Sequence, residues 1–303
     1  MVSSKPDRTL QQADRTAQRI DRAAQRTELD RAVALALNED LGEQDVDVTT
    51  RAIVDPELMG EAVIVARRPG VLSGSDAAAR VFEMIRPRSN YVALVPDGHR
   101  VAAGDKVARI TGSLISILIG ERTALNFVQR MSGIATLTRS YADALASFPN
   151  VTLLDTRKTT PGLRFLERAA VRAGGGTNHR DGLWDAILIK DNHVAAAGGV
   201  TEAVRRARKA AMPVEVEVET LAQLHEALDS GAEIVLLDNM PPDVMRQAVE
   251  ITAGRAKLEA SGGMTLEGAV AAARAGVDTI SVGALTHSAP SLDLSLEVTR
   301  TWR

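Results

Sequence analysis

The sequence predicts an α/β protein: an α/β barrel of about six parallel strands, preceded by a smaller mixed α/β N-terminal domain. Three observations predict it. From residue 150 onward, short β-branched runs alternate with amphipathic stretches, the pattern of strand-helix-strand crossovers in a parallel sheet. Polar or Gly-rich segments follow these runs, as in barrels whose loops gather at one mouth. At 303 residues, the chain is long for one average domain and short for three.

Composition narrows the class. Apolar residues make up 45% and charged residues 25% of the chain, ordinary values for a globular protein. A formal net charge of -3 argues against a nucleic-acid binder. The absence of cysteine removes disulfides, thiolate zinc sites and cysteine nucleophiles together, and five histidines without a cysteine argue against zinc. No apolar run approaches the roughly 18 residues of a membrane helix. The start, Met-Val-Ser-Ser-Lys-Pro, does not read as a secretory signal. The expectation is a cytoplasmic protein with no membrane or nucleic-acid partner.

Residues 1–27 form a polar N-terminal extension with a seven-residue near-repeat, Asp14-Arg-Thr-Ala-Gln-Arg-Ile20 and Asp21-Arg-Ala-Ala-Gln-Arg-Thr27. It has few apolar residues to bury and reads as a solvated extension. The smaller domain spans 28–132. Residues 28–37 carry apolar positions at helical spacing, ending near Leu41-Gly42. Glu61–Ala66 reads as a strand, and Val101–Gly112 as a hairpin turning at Gly104-Asp105. That hairpin alone resembles a lipoyl- or biotinyl-carrier module, but it is read as part of the small mixed α/β domain. Gly120–Leu145 is a long helical stretch with a break expected at Ser132-Gly133.

The barrel spans 133–288, with a tail at 289–303. Its candidate strands are Val151–Asp155, Ala186–Ile189, Val214–Val218, Ile234–Leu237, Lys257–Ala260 and Thr279–Val282. Helix starts lie between the later ones. Thr201 is a candidate cap, Thr220 with Gln223 makes a capping box, Pro241-Pro242 opens a helix and Thr265 caps the last.

The chemistry lies at the C-terminal end of each strand. Thr156, Arg157 and Lys158 come after the first, and Lys190 after the second. Glu217 lies near the end of the third and Asp238 ends the fourth. Ser261-Gly262-Gly263 come after the fifth and Gly283 after the sixth. In a parallel barrel these positions converge on one mouth. Any one of them is best read as a loop residue or a cap; six together are not. Arg157, Lys158, His179, Arg180 and Lys190 form a cationic group that calls for a polyanionic ligand. Glu217 and Asp238 on neighbouring strands suit Mg²⁺, or an ion pair to Lys190 or Arg157, or both. Ser261-Gly262-Gly263 before a helix start reads as a phosphate cradle that Gly283 completes. Gly174–Gly176 is a run of three glycines delivering His179 and Arg180, read as a closing loop. His193 and His287 are further candidates for the mouth, whereas His99 and His225 read as surface residues.

These residues resemble the quinolinate phosphoribosyltransferase family. The matching strings are Glu121-Arg122-Thr-Ala-Leu-Asn126, Ser132-Gly133-Ile-Ala-Thr136, Asp155-Thr-Arg-Lys-Thr-Thr-Pro-Gly162, Ala173-Gly-Gly-Gly-Thr-Asn-His-Arg180, Leu188-Ile-Lys-Asp-Asn-His193, Glu215-Val-Glu217, Leu236-Leu-Asp-Asn-Met240, Ser261-Gly-Gly263 and Val282-Gly-Ala-Leu-Thr-His287. They cover roughly 28–303. The resemblance implies an open barrel with its tail packed back on the first domain. It implies a homodimer, or a higher homo-oligomer, with a shared active site. It also implies transfer of phosphoribosyl from 5-phosphoribosyl-1-pyrophosphate (PRPP) to quinolinate with loss of carbon dioxide. By motif match, Arg122 comes from the partner subunit, and Arg157, His179, Arg180 and Lys190 form the quinolinate pocket. Lys158 sits near the pyrophosphate, with Thr156 beside it. Glu217 and Asp238 address the ribose hydroxyls and Mg²⁺, and Ser261, Gly262, Gly263 and Gly283 hold the 5-phosphate. Lys190, Glu217 and Asp238 are the candidate catalytic residues, with Mg²⁺ brought with PRPP and no organic cofactor. The intact basic set argues against a related transferase for another aromatic acid. Sugar-phosphate isomerases and thiazole-phosphate synthases share the cradle without needing so many cations.

Overall fold

A computed structural model describes residues 26–303. The extension 1–27 therefore lies outside the described residues, apart from its last two positions. Helix α1 occupies the described residues 26–41, and its Leu29, Val33 and Leu37, spaced by four, turn into the core. A short helix, α2 (Val48–Ile53), starts at Asp47, whose carboxylate accepts from the Thr49 and Thr50 amides.

The N-terminal sheet is antiparallel, in the order β12-β1-β5-β3. Its strands are β1 (Met59–Ala66), β3 (Asn90–Ala93), β5 (Lys106–Ser113) and, from the far end of the chain, β12 (Leu294–Trp302). β12 pairs with β1 along its whole length, so the tail completes the first sheet. The expected hairpin is not there. β4 (Arg100–Val101) pairs with β2 (Gly70–Val71), while β5 pairs with β1 and β3. The turn at Gly104-Asp105 exists, closed by Asp105 N–H to the Ala102 carbonyl at 3.2 Å, but it hands the chain from one sheet to another. Helix α3 (Ser75–Met84) lies beside this sheet.

Helix α4 (Leu114–Ala144) runs unbroken for 31 residues from the N-terminal unit into the barrel. The break expected at Ser132-Gly133 is therefore corrected. Both residues are buried, and Ser132 Oγ bonds to the Ser73 backbone. A Cβ on Gly133 would lie 2.1 Å from the Pro290 carbonyl oxygen. The glycine is there to let the tail cross the helix, not to interrupt it.

The barrel sheet is six-stranded and parallel, in the order β6-β11-β10-β9-β8-β7. Its strands are β6 (Thr152–Leu154), β7 (Ile187–Ile189), β8 (Val214–Val218), β9 (Ile234–Asp238), β10 (Lys257–Ser261) and β11 (Thr279–Ser281). Among the described residues no ladder joins β6 to β7, so the barrel is open there. Thr177 lies at that edge, bridged to Leu154.

The crossover helices are α5 (Arg164–Gly174), α6 (Asp191–Ala197), α7 (Val200–Ala207), α8 (Leu221–Asp229), α9 (Pro242–Thr252) and α10 (Leu266–Ala275), followed by α11 (Ala284–His287). The Thr220–Gln223 capping box, Pro242 at the start of α9 and the Thr265 cap are all present. Thr201 is not a cap: α7 starts one residue earlier, at Val200, behind Gly199 at φ 136°. No helix of the described residues is long and apolar enough to cross a membrane.

Candidate active site

The C-terminal ends of the six strands gather the predicted residues at one rim. Thr156, Arg157 and Lys158 follow β6, and Lys190 follows β7. Glu217 is the penultimate residue of β8, Asp238 ends β9, Ser261 ends β10, and Gly283 lies two residues past β11. His179 and Arg180 reach the same rim through the open edge. Thr177 N–H donates to the Leu153 carbonyl at 2.8 Å, and the Asp155 amide donates back to the Thr177 carbonyl at 3.1 Å. The chain thus leaves that edge beside Arg157.

The cations are sparsely paired. Arg157 Nε is buried and has no hydrogen-bond partner among the described residues. Arg180 spends one guanidinium nitrogen on the Ala186 carbonyl, at 3.1 Å. Its pKa is lowered, first by burial and then by the positive charge of Arg157. Two guanidinium groups held near each other, one with an orphaned buried donor, have the chemistry to receive an anion with more than one carboxylate or phosphate. Lys190 is ion-paired to Glu217 across the mouth. Arg122 is exposed on α4. The Thr156 hydroxyl accepts the Lys158 amide at 3.1 Å and so shapes the loop that carries both basic residues.

The segment expected from sequence to cradle phosphate is built from backbone. Gly262 (φ 93°) and Gly263 (φ 51°) adopt left-handed conformations. A Cβ on Gly262 would lie 2.2 Å from Asn239 Oδ1. Glycine is thus required twice over, for conformation and for space. Thr265 caps α10 directly afterwards by accepting the Gly268 amide at 3.0 Å. A Cβ on Gly283 would stand 3.0 Å from Lys158 Cδ and 3.2 Å from His287 Nε2. Lys158 therefore lies over the cradle, and His287 joins it there. His193 Nδ1 accepts the Lys190 amide at 2.9 Å, and the residue caps α6.

His179 is held on both nitrogens. The Arg180 amide donates to its Nδ1 at 2.7 Å. Its Nε2 stands 3.2 Å from Glu215 and 3.4 Å from Glu259, two buried carboxylates inside the barrel. Sequence reasoning missed both. The signal was available: Val-Glu-Val-Glu-Val in β8 and Lys-Leu-Glu-Ala in β10 put charge into strands that are otherwise apolar.

These three groups lie close enough together to hold a metal ion. However, Nδ1 accepts an N–H, so the ring proton sits on Nε2 and that nitrogen is not free to ligate. The cluster is held by close ion-pair contacts of Nε2 with the two carboxylates. Burial alone would push the imidazole down, but the Glu215 and Glu259 bonds and charges outweigh it and raise the value from 6.5 to about 10. Burial raises Glu215 as well. We assign the raised affinity to His179, Glu215 and Glu259 as one unit that shares one extra proton.

A pH dependence results. Groups whose folded pKa is raised contribute stability that is full below the unfolded value and is lost as pH rises through the folded one. Thermal denaturation should show stability falling between about pH 6.5 and about 10. Glu215→Gln should flatten that part of the curve, because it removes a carboxylate that holds the proton. Parallel curves for the two proteins would mean that the cluster takes up no proton.

Comparisons with known proteins agree along the chain. The family models for quinolinate phosphoribosyl transferase match residues 47–132 (N-terminal domain) and 134–297 (C-terminal domain). A Bacillus subtilis protein named probable nicotinate-nucleotide pyrophosphorylase (carboxylating) is 45% identical over 264 residues, covering 86% of this chain and 90% of its own. A Mycobacterium leprae protein named nicotinate-nucleotide pyrophosphorylase (carboxylating) is 45% identical over 270 residues, covering 87% and 94%. The structure of the nicotinate-nucleotide pyrophosphorylase from Francisella tularensis has a TM-score of 0.85 at 40% identity, covering 90% of this chain and 96% of that one. A human nicotinic acid phosphoribosyltransferase, at 13% identity and a TM-score of 0.60, shares the fold alone.

Proposed function

Because the chain belongs to the quinolinate phosphoribosyltransferase family, we infer that it joins quinolinate to PRPP in NAD biosynthesis, giving nicotinate mononucleotide, pyrophosphate and carbon dioxide. The observation that carries this reading is the Arg157–Arg180 pair with its unpartnered buried nitrogen. Quinolinate has two adjacent carboxylates, and two neighbouring forked cations match them.

The residues divide the work. Arg157 and Arg180 receive the carboxylates, with Lys190 at the side, and His179 forms the floor and holds the Arg180 backbone. Ser261, Gly262, Gly263 and Gly283 offer backbone to the 5-phosphate of PRPP, with Lys158 above them. Quinolinate's ring nitrogen then forms its bond to the ribose anomeric carbon as the bond to pyrophosphate breaks with its electron pair. Glu217 and Asp238 face the positive charge that develops on the ribose. The ring, now carrying a quaternary nitrogen, takes up the electron pair left when carbon dioxide departs, and a proton replaces the carboxylate. Lys190 is our candidate donor of that proton.

Glu217 and Asp238 also fit Mg²⁺. They lie near the ends of adjacent strands, Asp238 two residues past the Leu236 that pairs with Glu217, and among the described residues the Asp238 carboxylate accepts from its neighbour Asn239, at 2.7 Å. Mg²⁺ commonly takes one or two carboxylates and completes its shell with phosphate and water. When bound, it would neutralise charge on the pyrophosphate leaving group. We propose the cytoplasm as its compartment, since a chain without cysteine suits a reducing environment.

The test is pyrophosphate release from PRPP with quinolinate or nicotinate, before and after exhaustive chelation. Quinolinate should be strongly preferred, since a monocarboxylate leaves a cation unmatched at a cost of about 2–5 kcal/mol. Chelation should stop the reaction and Mg²⁺ restore it. Comparable turnover with nicotinate would contradict the pocket assignment, and full activity after chelation the metal assignment.

We further propose a homodimer in which Arg122 enters the neighbouring site, since its exposed place on α4 lies off its own barrel mouth. Arg122→Ala and Lys190→Ala homodimers should each be nearly inactive. Mixed by gentle unfolding and reassembly, half the dimers should be hybrids with one intact site, restoring about a quarter of the activity. Hybrids seen by mass spectrometry without recovered activity would place Arg122 in its own subunit's chemistry.

A further inference from the structure

Two consecutive residues of α5, Glu167 and Arg168, are buried, and neither belongs to the site described above. Successive residues on a helix point about 100° apart, so the two reach different loops. Glu167 reaches the loop after β6. Its carboxylate accepts the Thr160 amide at 3.1 Å and the Thr160 hydroxyl at 2.7 Å. It also pairs with Arg130 of α4 at 3.0 Å, and Arg130 donates in turn to the Ala289 carbonyl at 2.9 Å. Arg168 reaches the other loop. It donates to the His179 carbonyl at 2.8 Å and the Arg180 carbonyl at 3.1 Å, and it pairs with Asp181 at 2.6 Å and Asp155 at 3.6 Å. Asp155, fully buried, closes the clamp by accepting the His179 amide at 2.7 Å and Asn178 Nδ2 at 2.6 Å.

We propose that Glu167 and Arg168 are positioning residues, each the main grip on one half of the pocket, while Arg164 of the same helix links the two loops through the Arg157 carbonyl at 3.4 Å and the Asp181 carbonyl at 3.1 Å. Glu167 fixes the Arg157–Lys158 loop, and Arg168 fixes the His179–Arg180 loop. The inference rests on the quinolinate and PRPP reading of the site. The physical reason is that Arg157 and Arg180 repel each other when no anion is between them. A loop in solvent would relieve that repulsion by swinging apart, and a misplacement of about 1 Å at a binding group can cost on the order of a hundredfold in rate. Buried charges that grip the backbone of both loops prevent this.

The division of labour gives a selective signature. The Arg168 loop carries residues of the quinolinate side only. The Glu167 loop carries Arg157 on the quinolinate side and Lys158 over the phosphate cradle.

The experiment is steady-state kinetics with both substrates varied, for the wild type, Arg168→Met and Glu167→Gln, with melting temperatures measured alongside. Arg168→Met should raise KM for quinolinate about tenfold or more and leave KM for PRPP within about twofold. Glu167→Gln should raise both. Where Arg168→Met does not fold, Arg168→Gln keeps one donor and carries the same comparison. Thr160→Val, which removes only the hydroxyl bond, does so for Glu167. Unchanged KM values in folded variants, equal rises for both substrates in the Arg168 variants, or loss of soluble protein in both variants of a pair would overturn the proposal. A wild type that releases no pyrophosphate would instead sink the functional reading. Hydrogen exchange then decides the inference separately: amides 178–182 should exchange faster in the Arg168 variant than in the wild type, and equal exchange would overturn it.

Discussion

The site is organised by a repulsion. Arg157 and Arg180 lie near each other at the open edge of the barrel, and the charge of the one lowers the proton affinity of the other. No carboxylate is paired with either guanidinium among the described residues, although acids are abundant nearby. Glu217 is taken by Lys190, Asp155 and Asp181 by Arg168, and Glu215 faces His179. A protein that neutralised this pair internally would have no use for a dianion. In the proposed reading, leaving it unmatched costs stability and would make the pocket selective, because only a ligand with two suitably spaced negative groups would relieve both cations.

That arrangement constrains the scaffold. Parallel strands deliver side chains to one rim, but β6 and β7 are three residues each, and the barrel is not closed between them. The stiffness that closure would provide comes from elsewhere. α5 grips both loops, the Thr286 hydroxyl donates to the Lys158 carbonyl at 2.8 Å, and α4 reaches through Arg130 to the end of the barrel. The tail crosses α4 at Gly133 and joins β1, so the N-terminal sheet and the barrel share one continuous helix and one returning strand.

Much of this was legible in the sequence. The six strands, the capping box at Thr220, the proline start at Pro242 and the glycines of the cradle are local signals, and local chemistry decides them. The misreadings share a cause. Ser132-Gly133 looked like a helix break because its partner, Pro290, lies far along the chain. Val101 and Lys106 looked like partners because they are neighbours in sequence, whereas β4 and β5 are claimed by different sheets. Thr201 lost the cap to a glycine pair just ahead of it. Glu215 and Glu259 were visible as acids in apolar strands, but only the fold brings them to His179. Glu167 and Arg168 had no signal, since an adjacent Glu-Arg in an amphipathic helix reads as solvated surface.

The central claim is that the Arg157–Arg180 pair is a receptor for two carboxylates at once. Calorimetric titration of quinolinate and nicotinate into the wild type and Arg157→Met tests it most directly. The wild type should bind quinolinate at least ~10-fold more tightly, about 1.4 kcal/mol or more. Arg157→Met should weaken quinolinate and leave nicotinate nearly unchanged, closing most of that gap. Equal affinity of the wild type for the two ligands, or a gap that survives the substitution intact, would contradict the account.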